Sequence, residues 1–304
     1  MTAINAIDDL LCYILKIDRW DILSKKLSDL LFKKLSAAQR DVINDAIRVI
    51  ASGAGTLSEG ELQQILSDVE NALGKKLEES LSEPVSTYHL RAYKMAFKEI
   101  GINFSFNKVS RDALRWMDED IMYWIGEHYN ETLSRQLNDL AAQIAETGYD
   151  RESAGQIFRK NLEDQFTRGN HYWEGLSNHI VTRSREFGHI DAYDRAGVEF
   201  VKVVAIMDSR TSKICRYMNE RILPVSHLRT QRDKLMSAKS PEAAKEVSGW
   251  LNDKEAEQFI KDVPTDELIT GTKTRMLGLP PYHFNCRTRT VMATSAEIEA
   301  YKKS

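Results

Sequence analysis

The chain has 304 residues, 42% of them hydrophobic and 29% charged, with a net charge of -3. That composition supports a large core in one or two domains and excludes an intrinsically disordered chain. No apolar run reaches the roughly 18 residues of a membrane span, and the start lacks the basic, apolar and small-residue order of a signal peptide. The expected place is therefore the cytoplasm or a particle assembled there.

The first of three cysteines, Cys12, lies among Leu10, Leu11, Ile14 and Leu15 and reads as a small buried hydrophobe. Leu23, Leu27, Leu30 and Leu31 recur at the spacing of one helical face. A second helix through Val42, Ala46, Val49 and Ile50 is predicted to stop at Ser52-Gly53-Ala54-Gly55. Ser58 and Glu61 have the spacing of a capping box. The stripe Leu62, Ile65, Leu66, Val69 and Leu73 follows, in a helix predicted to end before Pro84.

Trp116, Ile121, Trp124, Leu133, Leu137, Leu140 and Ile144 mark a long helical stretch ending at Thr147-Gly148-Tyr149-Asp150, and another helix starts near Ser153. Trp116, Tyr123 and Trp124 read as core residues, not as a base-stacking platform. A helix over about 176–196 is ended by Gly197. His171, His179 and His189 read as surface or core groups, not ligands. Phe200 to Ile206 is the strongest strand signal; shorter strands are predicted at 221–225 and 288–292, and 229–262 reads as helical and acidic.

The predicted fold is mainly α: a helical docking and assembly region over 1–170, then a small α+β domain over 171–304 with a short, mostly antiparallel sheet. An acidic helical insertion falls at about 229–270. Charge divides along the chain, because residues 1–200 carry 24 Lys and Arg against 32 Asp and Glu, while residues 201–304 carry 18 against 13. A basic carboxy-terminal part permits contact with an acidic surface or nucleic acid.

Two motifs stand out in that part: Asp208-Ser209-Arg210-Thr211 with Cys215 four residues on, and Pro280-Pro281-Tyr282-His283-Phe284-Asn285-Cys286-Arg287. Asp208 or Ser209 is predicted to cap a short helix carrying Cys215, and the double proline to set an extended approach that aims His283 and Cys286. Three chemistries fit. Cys215, His283 and Cys286 can hold zinc, with Asp208 as a fourth ligand, since thiolate and imidazole are its preferred donors. A thiolate at Cys286 or Cys215 can act as a nucleophile beside His283 and Arg287. Or the cysteines are simply buried small residues, with His283, Arg210 and Arg287 tying loops together.

This pair of motifs, preceded by Arg183-Ser184-Arg185-Glu186 on a helix and a Gly-Val-strand, resembles the Mu F-like phage head morphogenesis family, the minor head or minor capsid proteins. The likeness covers roughly 140–295. It implies a protein of the virion, lying inside the capsid near the portal and assembled in the host cytoplasm. Implied partners are the portal and capsid or scaffold components. The implied role is in head morphogenesis and in DNA packaging or ejection, by binding and not by catalysis. Asp208, Arg210, Thr211, Cys215, His283, Cys286 and Arg287 sit at the family's motif positions. Ser212 and Thr288 stand where many relatives carry two further cysteines, so a tetrathiolate is excluded and any zinc would rest on Cys215, His283, Cys286 and an oxygen or water. Arg183-Ser184-Arg185 replaces the usual Arg-Thr-Glu, which implies a rearranged ion pair.

Two other functions compete. A toxin-like enzyme would use Cys286 and His283, but no Gly-x-Ser-x-Gly, His-Glu-x-x-His or phosphate-binding glycine loop is present. Only 18 residues follow Cys286, so no appended toxin domain is expected. A sequence-independent binder of double-stranded DNA would use Arg210, Lys213, Arg216 and Arg221, without helix-turn-helix or zinc-finger spacing.

Overall fold

Asp18 opens the first helix, α1 (Arg19–Ser52), its carboxylate accepting from the Trp20 amide at 3.0 Å. This computed structural model describes residues 18–166, 170–248, 253–262 and 277–303. Cys12 and its neighbours, the acidic segment beyond Asp262, and the side chains of Trp124 and His171 lie outside the described residues. Nothing between Phe32 and Arg40 breaks the helical pattern, so the two helices expected before Ser52 are one.

Helix α2 (Glu59–Ile100) begins with the expected capping box. The Ser58 amide donates to Glu61 Oε2 at 2.9 Å and the Glu61 amide to Ser58 Oγ at 3.2 Å. It does not end at Pro84. Proline forfeits one helical hydrogen bond, a local cost of about 3 kcal/mol, but the fully buried Leu81 and Val85 hold the helix through it by packing. Asn107 caps α3 (Lys108–Glu146) by accepting from the Ser110 amide at 2.7 Å. The expected stop follows, with Gly148 and Tyr149 both at positive φ. Asp150 caps α4 (Arg151–Phe166), and α5 (Asn170–Ala196) ends before Gly197 as expected.

The chain then forms β1 (Phe200–Val204), α6 (Lys213–Met218), β2 (Ile222–Pro224), α7 (Val225–Met236), α8 (Pro241–Val247), α9 (Asp253–Asp262), β3 (Arg289–Met292) and α10 (Ser295–Lys303). The sheet order is β2-β1-β3 with both pairings antiparallel, so Val201 faces Leu223 on one side and Met292 on the other. Val201 and Val203 are fully buried while Phe200, Lys202 and Val204 are half-buried, the alternation of a one-sided sheet. β1 is shorter than predicted because the Ala205 amide donates to Asn219 Oδ1 at 2.8 Å, leaving Ile206 and Met207 exposed.

Two compact units interleave in the chain. One takes residues up to Lys25, Ser86–Asp120 and the chain from Gly175 onward; the other takes Lys26–Val85 and Ile121–Glu174. They replace the consecutive segments 1–170 and 171–304 expected from the sequence. The sheet alone is too small to bury a core, so Tyr93, Phe97, Ala113 and Met117 from the long helices pack with Phe187, Val201, Val203, Leu223 and Tyr282. Trp116 stacks on Phe187 at 5.7 Å, as a core residue should, whereas Tyr123 is 41% exposed and does not belong to a core. In the same unit α5 approaches α2 closely at Gly188, where a Cβ would stand 2.8 Å from the Tyr93 carbonyl oxygen. The helical unit has its own core of Val42, Leu62, Leu66, Leu73, Leu137, Ile144 and Phe158. There Arg151 donates to the carbonyls of Ile50 and Gly55 and pairs with Glu61, filling the space a Cβ at Gly53 would need.

Candidate metal centre

Where β1 ends, the chain turns on Asp208 and Thr211. Asp208 Oδ1 accepts from the Arg210 amide at 2.9 Å, and Thr211 Oγ1 accepts from the Asp208 amide at 2.7 Å while donating to the Ile206 carbonyl at 2.6 Å. The helix cap is neither Asp208 nor Ser209 but Ser212, whose Oγ accepts from the Cys215 amide at 3.3 Å. The turn uses up the earlier polar groups, so α6 begins later than predicted, and Cys215 faces inward from its first turn.

The second motif is held from behind by α7. His227 Nε2 donates to the Leu277 carbonyl at 2.8 Å, Gln231 Oε1 accepts from the Leu279 amide at 2.9 Å, and the buried Tyr282 hydroxyl donates to the Gly278 carbonyl at 3.0 Å. The Pro280–Pro281 peptide is cis, not the extended approach that the proline pair predicts. Asn285 has a φ of 58°, a conformation asparagine tolerates better than most residues, and it turns the loop so that His283 and Cys286 converge. Beyond the loop, the fully buried Glu186 accepts from the Thr290 amide at 3.1 Å, from Thr290 Oγ1 at 2.6 Å and from Arg185 Nε at 2.8 Å. Arg185 also donates to the Thr288 carbonyl at 3.1 Å. The helix motif thus pairs Arg185 with the adjacent glutamate and anchors the strand that follows Cys286.

These supports bring three donors together. Cys215 Sγ lies 3.1 Å from His283 Nε2 and 3.8 Å from Cys286 Sγ, and all three donor atoms fall within 4.8 Å of one another. A tetrahedral ion bonded to sulfur at about 2.3 Å sets its two sulfurs about 3.8 Å apart, the separation found here. The ideal sulfur–nitrogen edge is about 3.6 Å. The imidazole therefore needs to move by about 1 Å, away from Cys215 and toward Cys286. His283 Nδ1 donates to the Phe284 carbonyl at 2.6 Å, which leaves Nε2 as the ring's lone-pair nitrogen and orients the ring as a carbonyl partner commonly does for metal-bound histidines.

The thiols share their protons unequally. The hydrogen bond from Cys286 lowers Cys215 to about 6, against its burial, with further help from Ser212, Thr288 and the charge of Arg287. Cys286 moves well above the ordinary thiol value, through that same hydrogen bond and through burial. Ser212 and Thr288, which stand where the resembled pattern has cysteines, thus support the Cys215 sulfur. Asp208 is not a member of the donor group. Its hydrogen bond with Arg287, at 2.7 Å, holds its carboxyl well below the usual carboxylate range and joins the two motifs.

Cys286, the thiol paired with His283 in the enzymatic reading, is fully buried and held protonated; the thiol against His283 is Cys215. Of the four basic residues considered for DNA, Lys213 pairs with Glu257, and Arg216 donates to the carbonyls of Thr211 and Asp208. Arg221 donates to the Tyr217 carbonyl and lies 4.0 Å from that ring's centroid, and the exposed Arg210 pairs with Asp208 at 3.7 Å. His179 and His189 are buried core groups, against Phe284 and Glu99 respectively. The roles of His227, Gln231 and Thr290 carry no signal in the sequence, because each acts on a segment 50 or so residues or more away.

No protein-family model, curated protein or solved structure matches the chain. Among the described residues, no helix is long and apolar enough to cross a membrane.

Proposed function

We propose that the chain is a minor head protein of a tailed phage or prophage, portal-associated inside the capsid, acting in head morphogenesis and DNA packaging or delivery by binding and not by turnover. With this we propose that zinc is held by Cys215, His283 and Cys286 as a structural clamp. The observation that carries the reading is the meeting of the two motifs: Arg287 pairs with Asp208 while Cys215 meets His283 and Cys286. When bound, zinc supplies a crosslink between α6 and the 277–288 loop, two segments that are about 70 residues apart in sequence. The protein's own groups prepare it: His283 is oriented by the Phe284 carbonyl, and Cys215 is favoured as thiolate by its hydrogen-bond donors.

Co-expression with a cognate portal protein tests the assembly role. Co-sedimentation of the two through a density gradient is expected. Two separate, freely sedimenting species after mixing at micromolar concentration would count against it.

A further inference from the structure

The helical unit carries a surface cleft of about 430 Å³ between the carboxy-terminal end of α1 and the first turns of α4, both of which belong to that unit. Ile47, Ile50 and Ala51 form the α1 wall. Along α4 the lining runs from Glu152 to Lys160, roughly 12 Å at 1.5 Å per residue, or about two helical turns. Gly155 sits within that strip. A Cβ placed there would meet nothing within 4 Å, so the space above it is open for want of a side chain.

Charge is distributed unevenly around this apolar strip. The lining holds Arg151, Arg159 and Lys160 against the carboxylate of Glu152. Arg151 is spent within the fold, on the Ile50 and Gly55 carbonyls and on Glu61. Arg159 and Lys160 stand exposed at one end of the strip, and Glu152 is exposed at the other. That arrangement decides the kind of ligand. A small molecule is held by a few polar groups converging inside a buried pocket, whereas exposed charges add little to the grip on one. An apolar centre with its usable charges at the rim is the anatomy of a protein docking site, and a strip two turns long suits a short helix laid along it.

We propose that this cleft docks an acidic amphipathic helix of a partner protein. An apolar side chain of that helix fills the space over Gly155, and its Asp or Glu residues lie against Arg159 and Lys160. Glu152 sets the direction, because it repels carboxylates at the opposite end. The site belongs to the helical unit and stands whether or not the metal centre or the portal role does.

The test is selection against the full chain from a library of helical peptides that share one apolar face and carry Glu, Lys or Ser at random on the flanks. Enriched peptides should be rich in Glu and bind one per chain. Their affinity should fall by at least about 10-fold for Gly155→Leu and for the double variant Arg159→Glu, Lys160→Glu. Gly155→Leu enters open space and replaces a poor helix former, so it should melt no lower than the wild type. Peptides with Lys in place of the selected Glu residues should recover binding to the double variant, which a folding defect cannot produce. No enrichment, winners without the acidic bias, or winners that bind Gly155→Leu unchanged would overturn the proposal. Self-association of the wild-type chain that Gly155→Leu abolishes would also overturn it, by assigning the cleft to a second copy.

Discussion

Arg287 donates to Asp208 across 79 residues of sequence, at 2.7 Å, and so locks the turn after β1 to the loop that carries His283 and Cys286. The pair supplies none of the three metal donors, although the Arg287 charge also favours the Cys215 thiolate. It sets the position of the loop, and its loss should be felt as weaker metal binding. Arg287→Ala and Asp208→Asn are each expected to reduce zinc affinity by about 10- to 100-fold, measured by competition with a chromophoric chelator. The double variant should lose little more than either single one, since both remove the same contact.

The buried Glu186 carboxyl accepts three hydrogen bonds, from Arg185, the Thr290 amide and the Thr290 hydroxyl, and has His189 Nδ1 at 3.8 Å. Glu186→Ala would leave Arg185 buried without its charge partner and is expected to cost about 3–5 kcal/mol in denaturant unfolding. Glu186→Gln, which keeps an acceptor, should cost clearly less. Equal costs for the two would mean that charge is irrelevant at this position.

Gly188 marks a close approach of α5 to α2, where an added methyl would meet the Tyr93 carbonyl and the Ala96 side chain at 2.8 and 2.9 Å. Because the first obstacle is backbone, the helices must separate. Gly188→Ala is expected to lower stability by about 1–3 kcal/mol despite the better helix propensity of alanine. Thermal unfolding at constant protein concentration checks it.

Burial alone would raise the Glu99 carboxyl, but hydrogen bonds from His189 and Arg19 outweigh it and hold the group at about 2. A carboxyl depressed on folding stabilises the native state above its unfolded value near 4.3, and that contribution is lost as pH falls through the folded value. Stability should therefore decline between about pH 5 and pH 2, by roughly 1–2 kcal/mol from this residue after allowance for its partial exposure. Glu99→Gln should flatten that part of the pH profile.

Local features were legible in the sequence. The Ser58–Glu61 capping box, the Gly148 stop and the end of α5 before Gly197 all depend on neighbours within a few residues, and each forms as its pattern predicts, whereas β1 forms at the expected place but ends at Val204, short of Ile206. Pro84 misled because buried Leu81 and Val85 outweigh a local penalty that sequence alone displays. The interleaving of the two units was illegible for a related reason. A stripe on a long helix shows that a face is buried, not which core receives it. At the site, Cys215, His283 and Cys286 were visible as the right residue types. Their supports, His227, Gln231 and Thr290, were not, because each becomes a support only once distant segments meet.

The most direct test of the centre is the metal content of the purified chain, compared with that of Cys286→Ser. One zinc per chain, lost in the variant together with a fall in melting temperature, is the expected result. A folded wild-type chain that stays metal-free in the presence of zinc would contradict it, and would reduce Cys215, His283 and Cys286 to packing.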